Sequence, residues 1–249
     1  MIKNISLFFF LVAFFYHTPP SLAGDFSGEV AIANDLYENN KFQQAADSYE
    51  SLIKRGLNNG YLYYNLGNTY IRLGKIGPAI RNYIRAKKLI PRDENLQANL
   101  IFAIQQTRDK IPPPTYSALS TLFFWVNDLN INENINLAKT VNLIFWVILT
   151  AWFYFRSEVL RLARNSFLAI LLLAFVAVGV KLHLESNSKT AVVLAKIVDV
   201  KSGLDPSNVT LFQLHEGALV TITKEKRGWF EVRLDPKQKG WVSKDVIGI

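Results

Sequence analysis

Three stretches of this chain, residues 5–16, 140–155 and 165–180, hold no charged side chain. The sequence between them is ordinary globular sequence, so the 50% apolar content is unevenly spread. Such runs constrain the fold more than any other feature, because a helix apolar all round has no face to offer water. The first follows Lys3, runs from Ile5 to Tyr16, and ends at Ser21-Leu22-Ala23. A basic start, a short apolar run and small residues at −3 and −1 predict a secretory signal over residues 1–23, cleaved after Ala23. An uncleaved anchor is the alternative, and both deliver the following segment across a membrane.

The other two runs predict transmembrane helices at 137–155 and 165–184, each near the roughly 20 residues a span requires. Lys139 and Arg156 bracket one uncharged core, Arg164 and Lys181 the other, where such side chains snorkel to the headgroups. A buried soluble hairpin is disfavoured by Trp146, Trp152 and the unbroken apolar run from Phe167 to Val178. The loop 156–164 carries Arg156, Arg161 and Arg164 against Glu158 alone, which keeps it cytoplasmic. Residues 24–136 and 185–249 then both lie outside the cytoplasm, as the signal independently requires. Residues 111–136 hold a stiff spacer, Pro112-Pro113-Pro114, followed by Leu119, Leu122, Phe123 and Val126 at helical spacing. A helix over 117–127 would lie in the membrane interface or pack on the preceding domain.

Residues 24–110 match themselves at an offset of 34: Ala33 with Gly67, Asn34 with Asn68, Ala45 with Ala79, Tyr49 with Tyr83. Tyr63, Leu66, Gly67, Tyr70, Ala79, Tyr83, Ala86 and Pro91 fall at the spacing of the tetratricopeptide consensus, and this segment resembles that repeat family. The resemblance implies two all-α repeats, closed by a capping helix over 94–109. Small residues let paired helices approach, and Pro91 stops the second helix of the second repeat. Two repeats and a cap are close to the minimum for a stable stack, so docking on the membrane segment or a partner is expected. The family's groove positions correspond to Asn34, Tyr37 and Glu38, then Tyr61, Tyr64, Asn65, Asn68 and Arg72, a candidate peptide groove. The same asparagines could instead brace adjacent turns. The basic residues of the carboxylate-clamp subgroup are replaced by Val30, Asn95 and Asn99, which argues against capture of a free C-terminal carboxylate. Arg72, Lys75, Arg81, Arg85, Lys87, Lys88 and Arg92 occur with no acidic residue between 61 and 92. They read as a solvated face, with acidic headgroups or an acidic partner as the alternative.

From Thr190 the pattern becomes short β-prone runs at 191–200, 209–214, 218–223, 229–234 and 241–242, with turns at Gly217, Gly228 and Gly240. This predicts a small antiparallel all-β barrel over 190–249. The order Ala191-Val192-Val193, Leu214-His215-Glu216-Gly217, Trp229-Phe230-Glu231-Val232 and Gly240-Trp241-Val242 resembles the bacterial SH3 domain. Leu204 stands where that family often has proline, leaving the conformation of loop 201–210 open. Phe212, Trp229, Phe230 and Trp241 are the candidate ligand surface, although both tryptophans read first as core.

No cysteine is present, which excludes disulfides, thiol catalysis and thiolate metal sites. His183 and His215 have no nucleophile or metal partner in sequence, and neither a phosphate-binding glycine loop nor an HExxH motif occurs. No catalytic, cofactor or metal site is expected. The net charge of +8 does not imply nucleic-acid binding in an exported chain. Signal, repeats, spacer, hairpin and SH3-like domain in this order resemble the tetratricopeptide proteins of bacterial aerotolerance (Bat) operons, as does the run Leu211 to Gly217. The resemblance implies a non-enzymatic scaffold in the bacterial inner membrane, two-pass, with both soluble domains periplasmic. It implies membrane-anchored von Willebrand factor A-type partners and, indirectly, a MoxR-type ATPase. A peptidoglycan-binding receptor or sensor is the competing expectation.

Overall fold

The computed structural model describes residues 26–109, 126, 128–187, 190–235 and 238–249. The signal segment 1–23, the proline triplet 112–114 and residues 117–125 lie outside them. Within the described residues, seven α-helices precede an antiparallel sheet of seven strands. Contacts divide the chain into two units: the first five helices with the sheet, and a hairpin of the two long helices.

Helices α1 (Ser27–Glu38), α2 (Phe42–Lys54), α3 (Gly60–Arg72), α4 (Ile76–Leu89) and α5 (Glu94–Gln105) pack consecutively. Two starts are written locally. The Asn59 side chain accepts from the Tyr61 N–H at 2.8 Å, and Asp93 accepts from the Leu96 N–H at 2.8 Å, satisfying donors a helix start leaves unpaired. The turns recur at the 34-residue offset. Asn40 and Gly74 both take left-handed backbone (φ 60° and 70°), and Lys41 and Lys75 donate to Leu36 and Tyr70 carbonyls at 2.8 and 2.9 Å. Ala33, Ala45, Ala79 and Ala86 are buried with Tyr49 and Tyr83, small residues opposite large ones. At Gly67 the approach is closest: a Cβ there would stand 2.5 Å from the Tyr83 ring.

The strands are β1 (Thr190–Val193), β2 (Ile197–Lys201), β3 (Thr210–His215), β4 (Leu219–Lys226), β5 (Trp229–Arg233), β6 (Lys239–Ser243) and β7 (Ile247–Gly248). All seven supply or flank one apolar cluster, including Val193, Val200, Leu214, Ile222, Val232, Val242 and Ile247. The expected barrel is corrected here. The pairing order β3-β2-β6-β5-β4-β1-β7 is open, with β3 and β7 as edges. The run 191–200 is also two strands, interrupted over Leu194–Lys196, each with different neighbours. A helix takes the place of a closing strand: a Cβ at Gly248 would lie 2.5 Å from Arg81 Cδ on α4, and Arg85 donates to the Ile249 carbonyl. Covering a sheet edge in this way removes it from further pairing.

That contact belongs to an extended joint between α4, the end of the helical segment, and the sheet. Val192 is part of the helical core, and Leu219 packs against it. The Gly77 N–H donates to Glu216 Oε1 at 2.9 Å, and a Cβ on Gly77 would meet the Val193 carbonyl at 2.6 Å. Gly217 (φ 85°) sits against Thr107, Ile80 and Ile76, so this position favours glycine for both conformation and space. Asp109 accepts from the His215 N–H at 2.6 Å, and its other oxygen is 2.9 Å from His215 Nδ1.

In the hairpin, α6 (Ile131–Phe155) and α7 (Glu158–Asn187) are both long and apolar enough to cross a membrane. Asn130 and Glu133 form a reciprocal capping box at the start of α6. Arg156, in left-handed backbone, ends it. Of the segment 156–164 only Arg156-Ser157 is non-helical, because α7 begins at Glu158. The expected spans 137–155 and 165–184 lie inside α6 and α7. At the opposite end, buried Lys181 donates to the Val126 carbonyl at 3.1 Å.

Candidate functional site

The groove candidates on the helices form a hydrogen-bonded ladder that itself repeats. Asn34 Oδ1 accepts from the Tyr49 hydroxyl at 2.6 Å and from Asn65 Nδ2 at 3.2 Å. Thirty-four residues on, Asn68 Oδ1 accepts from the Tyr83 hydroxyl at 2.7 Å and from Asn99 Nδ2 at 2.9 Å. Asn99 also donates to the Tyr64 hydroxyl at 3.1 Å, and the Tyr64 ring tilts against Tyr83. Burial pushes the Tyr49 hydroxyl up to about 12 and raises Tyr83 further, so both are donors at neutral pH.

The carbonyl oxygens of Asn34 and Asn68 therefore brace neighbouring helices. Tyr37 and Arg72 meet on another residue: Tyr37 packs edge-on against Phe42 (centroids 5.5 Å apart), and the Arg72 guanidinium lies 4.9 Å over the same ring. Tyr61 projects into solvent, 57% exposed. Asn99 and Phe42 are the members the sequence reasoning missed as participants. The 34-residue offset from Asn65 was the available signal for Asn99.

The basic run is split. Arg72, Lys75, Lys87, Lys88 and Arg92 are exposed, whereas Arg81 and Arg85 are half-buried beneath β7. Burial, with Arg81 nearby, lowers the Arg85 guanidinium below its ordinary value.

On the sheet, strand register divides the four aromatic candidates into two pairs. Phe230 is buried in the cluster opposite Val242, and Phe212 packs on that cluster opposite Val200. Trp229 and Trp241 lie on the other face, opposite Ser243 and Glu231 respectively, and both are partly exposed. The expectation that the two tryptophans are core is corrected by this alternation, since adjacent strand residues face opposite ways. Between them Glu231 is buried; the Thr223 hydroxyl donates to it at 2.6 Å and holds its carboxyl below the usual range. Lys224 lies 3.6 Å from Glu231, and Lys201 stands across from Trp241. The outer face thus alternates indole rings, one carboxylate and lysines.

Among the described residues no group of three or more His, Asp or Glu side chains could hold a metal ion. Comparison with family models and with curated proteins finds no match.

Proposed function

We propose that the chain is a non-catalytic, two-pass inner-membrane scaffold that presents tetratricopeptide-type repeats and a bacterial SH3-like domain in the periplasm. The observation that carries this is the ladder Tyr49–Asn34–Asn65, reproduced by Tyr83–Asn68–Asn99 at an interval of 34 residues. Repeated hydrogen bonds at that interval support a stacked repeat whose business is surface rather than chemistry. Two helices of spanning length and the arginine excess at their turn support the membrane placement. The joint at Asp109, Gly77 and Glu216 adds that the two modules work as one body. On the resemblance to aerotolerance-operon proteins, its partners are von Willebrand factor A-type membrane proteins, and through them a MoxR-type ATPase.

Affinity purification from gently solubilised membranes tests the assignment. A co-purifying von Willebrand-type membrane protein is the expected result, and its absence removes the operon-level proposal. A second reading, binding of peptidoglycan, is favoured by the partly exposed Trp229 and Trp241 on one sheet face. Sedimentation with purified peptidoglycan, lost in Trp229→Ala or Trp241→Ala while the fold persists, would favour it over the scaffold.

A further inference from the structure

The turn between α6 and α7 holds more positive charge than its function as a turn requires. Arg156 and Arg164 arrive from opposite sides of the turn onto one indole ring: their guanidinium carbons lie 5.0 and 4.1 Å from the Trp152 ring. Those distances keep the two cations within about 9 Å of each other, despite their repulsion. The guanidiniums lie over the ring, that of Arg156 also 5.1 Å from the Phe153 centroid, and most of their N–H donors make no hydrogen bond among the described residues. Arg156 gives Nε to the Phe153 carbonyl, and Arg164 gives Nε and Nη2 to Asn165 Oδ1. Among the described residues no carboxylate pairs with either; the one acid at the turn, Glu158, is paired with Arg161.

Two pre-placed guanidinium forks with unspent donors and no counter-ion fit a phosphate, which such forks bind bidentately. The surroundings indicate which phosphate. Phe155, Val159 and Leu162, at the same end of the hairpin, are 77%, 75% and 71% exposed. At the end of a membrane-spanning hairpin, an anion held by these two arginines lies at the depth of the headgroups, where a phospholipid carries its phosphate above its acyl chains.

We propose that this turn is a binding site for an acidic phospholipid, whose phosphate is held by Arg156 and Arg164 across Trp152. The site rests on the membrane placement of the hairpin, and its test separates the two.

Full-length protein is first floated with phosphatidylcholine vesicles; failure to float refutes the membrane placement itself. Protein that floats is then extracted in mixed micelles of phosphatidylcholine and phosphatidylglycerol, and the retained lipids are counted by native mass spectrometry. Wild type is expected to retain phosphatidylglycerol preferentially, by about tenfold, and R156Q/R164Q to lose that preference. Because Arg156 occupies the left-handed turn position, R164Q alone is the second variant, expected to lose about threefold or more. R161Q removes an equal charge from an arginine already paired and is expected to keep the preference. Equal retention of both lipids by wild type overturns the site. So does an R161Q loss as large as that of R164Q, which would mean bulk charge, or displacement by millimolar inorganic phosphate, which would mean a free anion.

Discussion

Asn34 and Asn68 show how one residue type served two expectations. The spacing that places an asparagine on a groove also places it within reach of the tyrosine on the paired helix, and only geometry decides between them. Asn68 Oδ1 accepts two hydrogen bonds, so Asn68→Ala strands the Tyr83 hydroxyl and Asn99 Nδ2 and is expected to cost about 1–3 kcal/mol. Tyr83→Phe removes one donor and should cost about 1 kcal/mol. Denaturant unfolding of the full chain in detergent measures both, and equal small effects would show that the ladder does not hold the helices together. The tyrosines also set an alkaline limit. Burial raises the Tyr49, Tyr70 and Tyr83 hydroxyls above their unfolded values, so the folded state retains protons that the unfolded state loses. Stability is then fully present below pH 10 and falls as pH rises through the folded values, about 12 for Tyr49. Helical ellipticity followed against pH should begin to fall above 10, and Tyr83→Phe should weaken that dependence. Trp229 and Trp241 were misassigned by size and apolarity; with Phe230 adjacent to Trp229 in a strand, only one of the two can face inward.

At the scale of elements, the Pro91 stop was legible because proline cannot continue the ladder, whereas the caps Asn59 and Asp93 and the left-handed Gly74 emerge only from the geometry. The break within 191–200 had no turn residue to mark it, because Leu194-Ala195-Lys196 contains neither glycine nor proline, and it shows in the change of pairing partners from β1 to β2. The joint between helices and sheet was equally hidden, since Asp109 and His215 are 106 positions apart. The shortness of the repeat stack pointed to docking on the membrane segment or a partner, whereas the chain's own sheet covers the helices. Gly77→Ala tests that surface. Its methyl would stand 2.6 Å from the Val193 carbonyl, a backbone atom that cannot swing aside. An overpacking cost of about 1–3 kcal/mol is expected, with new protease sensitivity in the sheet while the helical core persists. Asp109→Ala should loosen the same joint by about 1–3 kcal/mol, because it leaves the His215 N–H and ring unpaired. If limited proteolysis of both variants matches wild type, the joint contributes nothing to holding the modules.

For the whole molecule, the proposed two-pass topology has a direct test. Reporter fusions at residues 110, 160 and 249 should read outside, inside and outside; an inside signal at 249 defeats the two-pass arrangement. The joint makes the helical segment and the sheet one discontinuous body, with the hairpin inserted between its two parts. Such a body has an order of manufacture. The N-terminal helices emerge first from the ribosome, yet Ile76, Gly77 and Ile80 on α4 wait for Val192 and Gly217 to cover them. Throughout synthesis of the hairpin that apolar strip is an unfinished seam, open to whatever holdase attends the nascent chain.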